Sequence, residues 1–378
     1  MNDIEQSAKI NHCIVVVSGA SGGHLFPAVA VAKLLAERGY DIRVVLGSKK
    51  FSDVVTDAKL PLYSLPSAAF NDRKILAKII AFSTFLQGFF IAWQLLGKFK
   101  PSVVFGTGGY ATVAMVFAAW IRGIPVVIHE QNVLPGRANR LLARFADVLL
   151  LTFEKTRSYF PGLRAQIYLA GTPLRAEILA AARQHTAVSK KKAADGSFSI
   201  LILGGSQGAH ILSRVVPEAI RLLSSEDRSK LTVVQQARGE DIAHIQHIYA
   251  SLGLAKYEVS PFFKDMPQCY RNADVVIGRS GVGTLLESAV FGIPAIYVPL
   301  ELADGHQTLN AEVAEEAGAA KILPQKLFTP ANLLAHILAI WHNPDQWRMM
   351  SVAALTLARV DATKHVVNIV EDIIKTRS

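Results

Sequence analysis

Two stretches decide the fold, and they are built alike: IVVVSGASGGHLFPAVAVAKLL at residues 14–35 and ILILGGSQGAHILSRVVPEAIRLL at residues 200–223. Each begins as an apolar, largely β-branched run, passes through a Gly/Ser-rich turn, and continues with helical spacing. A parallel strand followed by a tight turn and a helix is the opening unit of a Rossmann-like fold. Its occurrence twice in one chain predicts two such domains.

Between and after these units the same rhythm repeats. Ile42–Leu46, Val103–Phe105, Val126–Ile128 and Val148–Leu151 read as further strands of the first domain. Ser199–Leu203, Thr232–Val234, Val275–Ile277 and Ala295–Val298 read as strands of the second. Short apolar runs alternating with helical patterns indicate parallel sheets covered on both faces. The pattern loosens over 164–197. The expected organisation is therefore α/β throughout: residues 1–165 and 166–345 as two Rossmann-like domains facing across a cleft, with helices at 346–378 that could pack back on the first.

Composition bounds the function. The chain has 378 residues, enough for two cores of ordinary size, with 51% hydrophobic and 19% charged residues. The net charge of +10 favours an anionic partner. Its one dense basic run, Lys190–Lys192, reads as a solvated loop, so nucleic acid is not the expected partner. Cys13 and Cys269 have no metal-like spacing and fit a reducing compartment. The polar N-terminus lacks a signal-peptide pattern. Ile79–Leu96 is uncharged and close to bilayer-spanning length. Its Ser, Thr, Gln and Gly residues favour a helix packed on the domain with an apolar face near the surface.

The turns carry the chemistry. Ser18–Gly23, Gly106–Tyr110 and Gly204–Gly208 each follow a strand and precede a helix, where free backbone N–H groups and the helix dipole attract phosphate. None is followed by Gly-Lys-Ser/Thr, and no acidic residue ends the second strand to hold an adenosine ribose, so neither a P-loop nor an NAD site is expected. His24 sits in the first turn of its helix and is a candidate base. His129-Glu130-Gln131-Asn132 ends a strand, where α/β sheets bind ligands. Glu287 is placed to hold a ribose, and Gln307 to meet sugar hydroxyls. There is no Asp-X-Asp motif and no Cys/His cluster, so no metal is expected.

SGASGGHLFPAVAVA, GTGGYATV, HEQNVLPGRANRLLAR, GTPLR, LGGSQGA, GRSGVGTLLE and VPLELADGHQTLNA occur in this order across about residues 12–320. The series resembles that of the MurG family of bacterial glycosyltransferases (family 28). The resemblance implies the GT-B fold and inverting transfer of N-acetylglucosamine from UDP-N-acetylglucosamine to lipid I, undecaprenyl-diphosphate-linked muramyl pentapeptide, forming lipid II with no cofactor or metal. It implies donor contacts from Phe263 (uracil), Glu287 (ribose), Ser206 (diphosphate) and Gln307 (sugar). Val282, Gly283, Thr284, Leu285 and Leu286 complete that run, with Arg175, Asn132, Ser21, Gly22 and Gly23 also on the donor side. His24 would be the base, and Gly108, Gly109, Tyr110, His129 and Glu130 would shape the acceptor side. Ala20 and Ser21 stand where the family more often has Gly and Thr. The implied setting is peripheral, at the cytoplasmic face of the inner membrane. Ile75–Trp93, with Arg73, Lys74 and Lys78, would meet anionic lipid. Other wall-synthesis and division proteins are further implied partners. A UDP-N-acetylglucosamine 2-epimerase, another UDP-sugar transferase and a non-catalytic membrane scaffold are the competing readings.

Overall fold

The computed structural model describes residues 12–19, 21–48, 52–67, 75–184, 196–205, 209–301 and 305–377, with the side chains of 75–78 excluded. The chain divides into two compact units, Met1–Pro173 with Asp361–Ser378, and Leu174–Val360.

In the first unit the elements are β1 (Cys13–Ser18), α1 (Gly22–Glu37), β2 (Asp41–Leu46), α2 (Ser52–Asp57), β3 (Leu62–Ser64), α3 (Ile75–Phe99), β4 (Val103–Gly106), α4 (Tyr110–Ile121), β5 (Val126–Glu130), α5 (Arg137–Leu142), β6 (Val148–Leu151) and β7 (Gln166–Leu169). Among the described residues its sheet has the order β3-β2-β1-β4-β5-β6-β7, and every pairing is parallel. Ile14 pairs with Ile42 on one side and Val103 on the other. Alternate residues of β1 feed opposite cores. Ile14 and Val16 pack with α1 residues such as Leu25 and Leu35, and Val15 and Val17 with Leu96 of α3 and Met115 of α4. A strand buried on both faces has no polar alternation, which is why residues 13–17 read as a continuous apolar run.

The second unit contains α6 (Ala176–Gln184), β8 (Phe198–Leu203), α7 (His210–Arg221), α8 (Ser225–Lys230), β9 (Leu231–Gln236), α9 (Gly239–Ala250), β10 (Lys256–Ser260), α10 (Met266–Asn272), β11 (Val275–Gly278), α11 (Val282–Val290), β12 (Ala295–Tyr297), α12 (His306–Glu316), β13 (Ala320–Ile322), α13 (Pro330–Trp341) and α14 (Pro344–Leu355). Its parallel sheet runs β10-β9-β8-β11-β12-β13. The chain then returns to the first unit as α15 (Ala362–Arg377). Val366, Val367 and Val370 of α15 are fully buried in the first unit's core. Arg38 reaches Glu371 at 2.6 Å, and Arg377 reaches Asp147 at 2.5 Å.

Two boundaries differ from expectation. The changeover expected at 165/166 falls at the start of β7, which pairs with β6, so the first unit runs on to Pro173. The C-terminal helices do not move as one block, because α14 packs on α11 and α13 while α15 packs on α1.

Both sheets reverse their strand order at the first strand, between β1 and β4 and between β8 and β11. Such switch points open a crevice at the carboxyl ends of the strands. In the first unit two glycine turns meet there. The Gly19 N–H donates to the Gly108 carbonyl at 2.8 Å. A Cβ on Gly109 would lie 2.6 Å from the Cα of Gly19, and Gly109 has φ +92°. Sterics and backbone conformation both demand glycine at this position.

Gly109→Ala is therefore expected to lower stability by about 2 kcal/mol or more. Gly23→Ala, with nothing within 4 Å of the added Cβ and a place in the first turn of α1, should be neutral or stabilising by up to about 1 kcal/mol. Urea denaturation of the two variants checks the contrast, and equal effects would refute the turn-on-turn account.

Candidate active site

The first unit gathers its polar residues around the carboxyl ends of β1, β4 and β5. His24 is the third residue of α1, and its Nδ1 lies 2.6 Å from the Ser21 hydroxyl. Gly108 packs against the same ring, since a Cβ there would lie 3.1 Å from His24 Cδ2. Tyr110 opens α4, whose N-cap is Gly109 and whose first turn carries no acidic residue. That leaves a helix dipole at the turn with no side chain to offset it.

His129 and Glu130 are inside the protein. The strand expected to end at Ile128 continues to Glu130, and both side chains are buried. The His129 Nε2 lies 2.8 Å from the Gly171 carbonyl, and the Gln131 amide meets Nδ1 at 3.0 Å. Donation from Nε2–H and acceptance at Nδ1 define a neutral imidazole. Burial pushes its pKa down to about 4, the Gly171 carbonyl works against that shift, and nearby His24 adds to it. Burial pushes the Glu130 carboxyl up from its usual value. Hydrogen bonds donated by Asn132, Asn139 and the Gly136 backbone pull it back. Glu130 thus holds the 132–139 segment in place. Among the described residues, Thr107 Oγ1, Gln131 Oε1 and Asn139 Oδ1 are buried without a hydrogen-bond partner. Each such oxygen costs about 1–3 kcal/mol, a local cost that core packing alone would not select.

The second unit builds its constellation around α11. Gly281 is the N-cap, with no side-chain cap, so the N–H groups of Val282, Gly283 and Thr284 head the helix. Val282, Leu285 and Leu286 are buried, and the Leu285 N–H is engaged by the Gly281 carbonyl. The side chains of Leu285 and Leu286 are turned into the protein interior. Glu287 is 7% exposed and receives a two-pronged ion pair from Arg175, Nε to Oε1 at 2.8 Å and the terminal nitrogen to Oε2 at 2.7 Å. The Tyr270 hydroxyl donates to Oε2 at 3.3 Å. Breaking a pair this buried by removing one partner costs about 3 kcal/mol. Tyr270 was not among the residues expected from sequence, and nothing in the run Met266–Asn272 marks it.

Gln307 accepts the Leu300 N–H at its Oε1 and the Ser280 hydroxyl at its carbonyl. The Asn310 amide reaches the Ser280 carbonyl. These bonds join the turn after β11 to the start of α12. Phe263 is buried, whereas Phe262 beside it is 67% exposed. Gly204 and Gly205 lead toward α7, whose first turn lacks an acidic residue. Ser206, expected to hold diphosphate, lies outside the described residues. Asn132 belongs to the first unit, with its amide on Glu130. Gly22 and Gly23 open α1 beside His24. Among the described residues no group of three or more His, Cys, Asp or Glu side chains is placed to hold a metal ion.

Two family domains match the chain: the glycosyltransferase family 28 N-terminal domain at residues 14–150 and the C-terminal domain at residues 199–367. A relative from Methylobacterium sp. (strain 4-46) is 40% identical over 94% of this chain and 95% of its own length. One from Rhodopseudomonas palustris is 36% identical over 96% and 98%. Both are named UDP-N-acetylglucosamine–N-acetylmuramyl-(pentapeptide) pyrophosphoryl-undecaprenol N-acetylglucosamine transferase. The crystal structure of Acinetobacter baumannii MurG matches with TM-score 0.76 and 31% identity, covering 96% of this chain and 99% of that one. A UDP-N-acetylglucosamine 2-epimerase from Neisseria meningitidis matches with TM-score 0.69 at 15% identity, over 95% of this chain and 100% of that one, a likeness of fold alone.

The buried neutral His129 makes stability pH-dependent. Its folded pKa of about 4 lies below the unfolded value near 6.5, so its contribution is complete above pH 6.5 and is lost as pH falls toward 4. The loss is on the order of 3 kcal/mol. Glu130, shifted upward, acts with the opposite sign. Denaturation midpoints of wild type and His129→Asn between pH 7 and 4 should converge as pH falls; parallel curves would mean that His129 takes a proton without cost.

Proposed function

The chain belongs to glycosyltransferase family 28, and from that premise we propose how its residues divide the reaction. The enzyme transfers N-acetylglucosamine from UDP-N-acetylglucosamine to lipid I, forming lipid II for peptidoglycan, the material on which bacterial shape and division depend. The observation that carries this reading is the 40% identity that extends over 94% of the chain.

In the proposed mechanism His24 takes the proton of the muramyl 4-hydroxyl as that oxygen bonds to the anomeric carbon. The bond from that carbon to the UDP oxygen breaks on the opposite face, and UDP leaves with the electron pair. One displacement inverts the centre and gives a β linkage. The charge gathering on UDP needs donors fixed in advance. The N-terminus of α7, with Ser206 and its neighbours, is assigned that task, and the N–H groups of Val282, Gly283 and Thr284 stand by it. Phe263 is assigned to the uracil side and Gln307 to the sugar. Gly108, Gly109 and Tyr110 are assigned to the acceptor diphosphate. His129 and Glu130 support that side from within through the hydrogen bonds described above, and Asn132, whose amide rests on Glu130, is assigned to the donor.

Glu287 is assigned to the ribose, with a constraint the sequence did not reveal. A carboxylate offers about four acceptor positions. Arg175 takes two and Tyr270 a third, the last at 3.3 Å. Two ribose hydroxyls then use the remaining position and displace Tyr270, the most distant of the donors. Arg175 holds the Glu287 carboxylate in place.

The membrane reading rests on α3. This is the helix among the described residues long and apolar enough to cross a bilayer, over Ile79–Phe99 with mean hydropathy 1.7. Its burial is one-sided: Ala81, Gly88, Ala92 and Leu96 are buried, whereas Ile79, Phe82, Leu86 and Phe90 are exposed. Trp120 and Ile121 of α4 add exposed apolar area, and Arg140 and Arg144 are exposed on either side of exposed Leu141. We assign this face to shallow insertion among anionic lipids at the cytoplasmic surface of the bacterial inner membrane. Arg73 and Lys74, expected to contribute, and the Lys78 side chain lie outside the described residues. Contacts with other wall-synthesis or division proteins belong to the same proposal.

With UDP-N-acetylglucosamine and a lipid I analogue, UDP release should require the acceptor; acceptor-independent conversion of the sugar would instead identify an epimerase. His24→Ala should lower kcat by about 100-fold or more at unchanged UDP affinity, and near-wild-type turnover would reject the base. Calorimetry should find UDP affinity reduced in Glu287→Gln and retained in Tyr270→Phe; unchanged affinity in the former would remove the ribose assignment. Phe82→Glu with Phe90→Glu should abolish sedimentation with phosphatidylglycerol vesicles while turnover of a short-chain, soluble acceptor persists. Undiminished vesicle binding would place the membrane face elsewhere.

A further inference from the structure

Ser21 occupies the N-cap of α1, with φ −97° and ψ 147°. An N-cap serine ordinarily turns its hydroxyl onto the N–H of the second or third helical residue. Ser21 makes no such bond. The N–H of His24, the third residue, goes to the Ser21 backbone carbonyl at 3.1 Å. The hydroxyl goes to the imidazole of His24, 2.6 Å from Nδ1. On the Cδ2 side the ring meets Gly108, where even a methyl group would come within 3.1 Å. The imidazole is thus bracketed by a hydroxyl at Nδ1 and by glycine backbone at its other edge. Both elements come from the turns that the Gly19–Gly108 hydrogen bond holds together.

We propose that Ser21 is a positioning residue that acts through His24, fixing the ring and its tautomer so that Nε2 receives the acceptor's proton. The chemistry requires a particular arrangement of protons. A neutral imidazole carries one N–H, and Nε2 has a lone pair to offer only when that proton is on Nδ1. Nδ1–H then donates to Ser21 Oγ. When Nε2 takes the proton of the muramyl hydroxyl, Nδ1–H stays on Oγ, now as part of an imidazolium, and the bond strengthens. Neither Ser21 nor His24 moves during the step. Ser21 thereby does for His24, with a neutral oxygen, what a carboxylate does for the histidine of a serine protease. This differs from the donor-lining place that its sequence position suggested.

The inference rests on His24 as the base, so the experiment separates the two. Steady-state kinetics would compare Ser21→Ala, Ser21→Thr, His24→Ala and Ser21→Ala/His24→Ala with UDP-N-acetylglucosamine and a lipid I analogue. Because Ser21 is exposed and caps nothing, Ser21→Ala should fold normally, and its melting temperature checks this. The expected result is a kcat lowered about tenfold or more in Ser21→Ala with the donor KM within about twofold. Ser21→Thr should restore it, and Ser21→Ala should cost nothing further once His24 is gone. A raised donor KM at constant kcat would make Ser21 a donor ligand and overturn the proposal. So would undiminished turnover in Ser21→Ala, or a full further loss on top of His24→Ala. Wild-type turnover in His24→Ala would instead fail the base assignment itself and take the positioning role with it.

Discussion

The hydrogen bond from the Gly19 N–H to the Gly108 carbonyl is the contact on which the geometry of the first unit's candidate site depends. It joins the turn after β1 to the turn after β4 at the point where the sheet reverses its order. The backbones approach so closely that Gly109 has no room for a Cβ. The reward is geometric. Two helix N-termini start side by side, and the turn after β4 backs the ring of His24. Glycine-rich turns are usually explained by ligand approach. Here the packing of one turn on another is an equally strong reason for glycine, and both reasons operate over a few residues.

The second unit repeats the architecture with a different emphasis. Its polar residues tie turns and helices to one another: Arg175 to Glu287, Ser280 to Gln307, Asn310 to Ser280. The Glu287 carboxylate is oriented by a guanidinium 112 positions earlier in the chain. In the proposed ribose role, an arriving hydroxyl would meet an acceptor whose direction is already set, so little ordering would remain to be done on binding.

The central strands were legible in the sequence and the edge strands were not. β1, β4, β6, β8, β11 and β12 bury both faces or nearly so and appear as largely apolar runs, and β2, β5 and β9 keep apolar stretches long enough to be seen. β3, β7, β10 and β13 are the sheet edges, and their solvent-facing residues interrupt that pattern, as in Lys256–Ser260. The placement of His24 in the first turn of α1 and of Glu287 in α11 was legible, because each follows a glycine turn after an apolar strand. The inward turn of His129 and Glu130 was not legible, since it follows from β5 running two residues further than its apolar run. Nor was the Arg175–Glu287–Tyr270 cluster, which only tertiary structure assembles. In α3 the polar residues that dilute the apolar run pointed to a helix packed on the domain with an apolar face near the surface, and its one-sided burial has that form.

The most direct test of the account is to follow labelled N-acetylglucosamine from its UDP donor onto a lipid I analogue in the presence of EDTA, and to determine the linkage in the product. The account predicts label on the lipid in a β-1,4 bond, at a rate insensitive to the chelator, because fixed amides, helix dipoles and a histidine base carry the displacement. It would be contradicted by a protein that binds UDP yet leaves the lipid unlabelled, by an α linkage, or by activity that EDTA abolishes and a divalent cation restores.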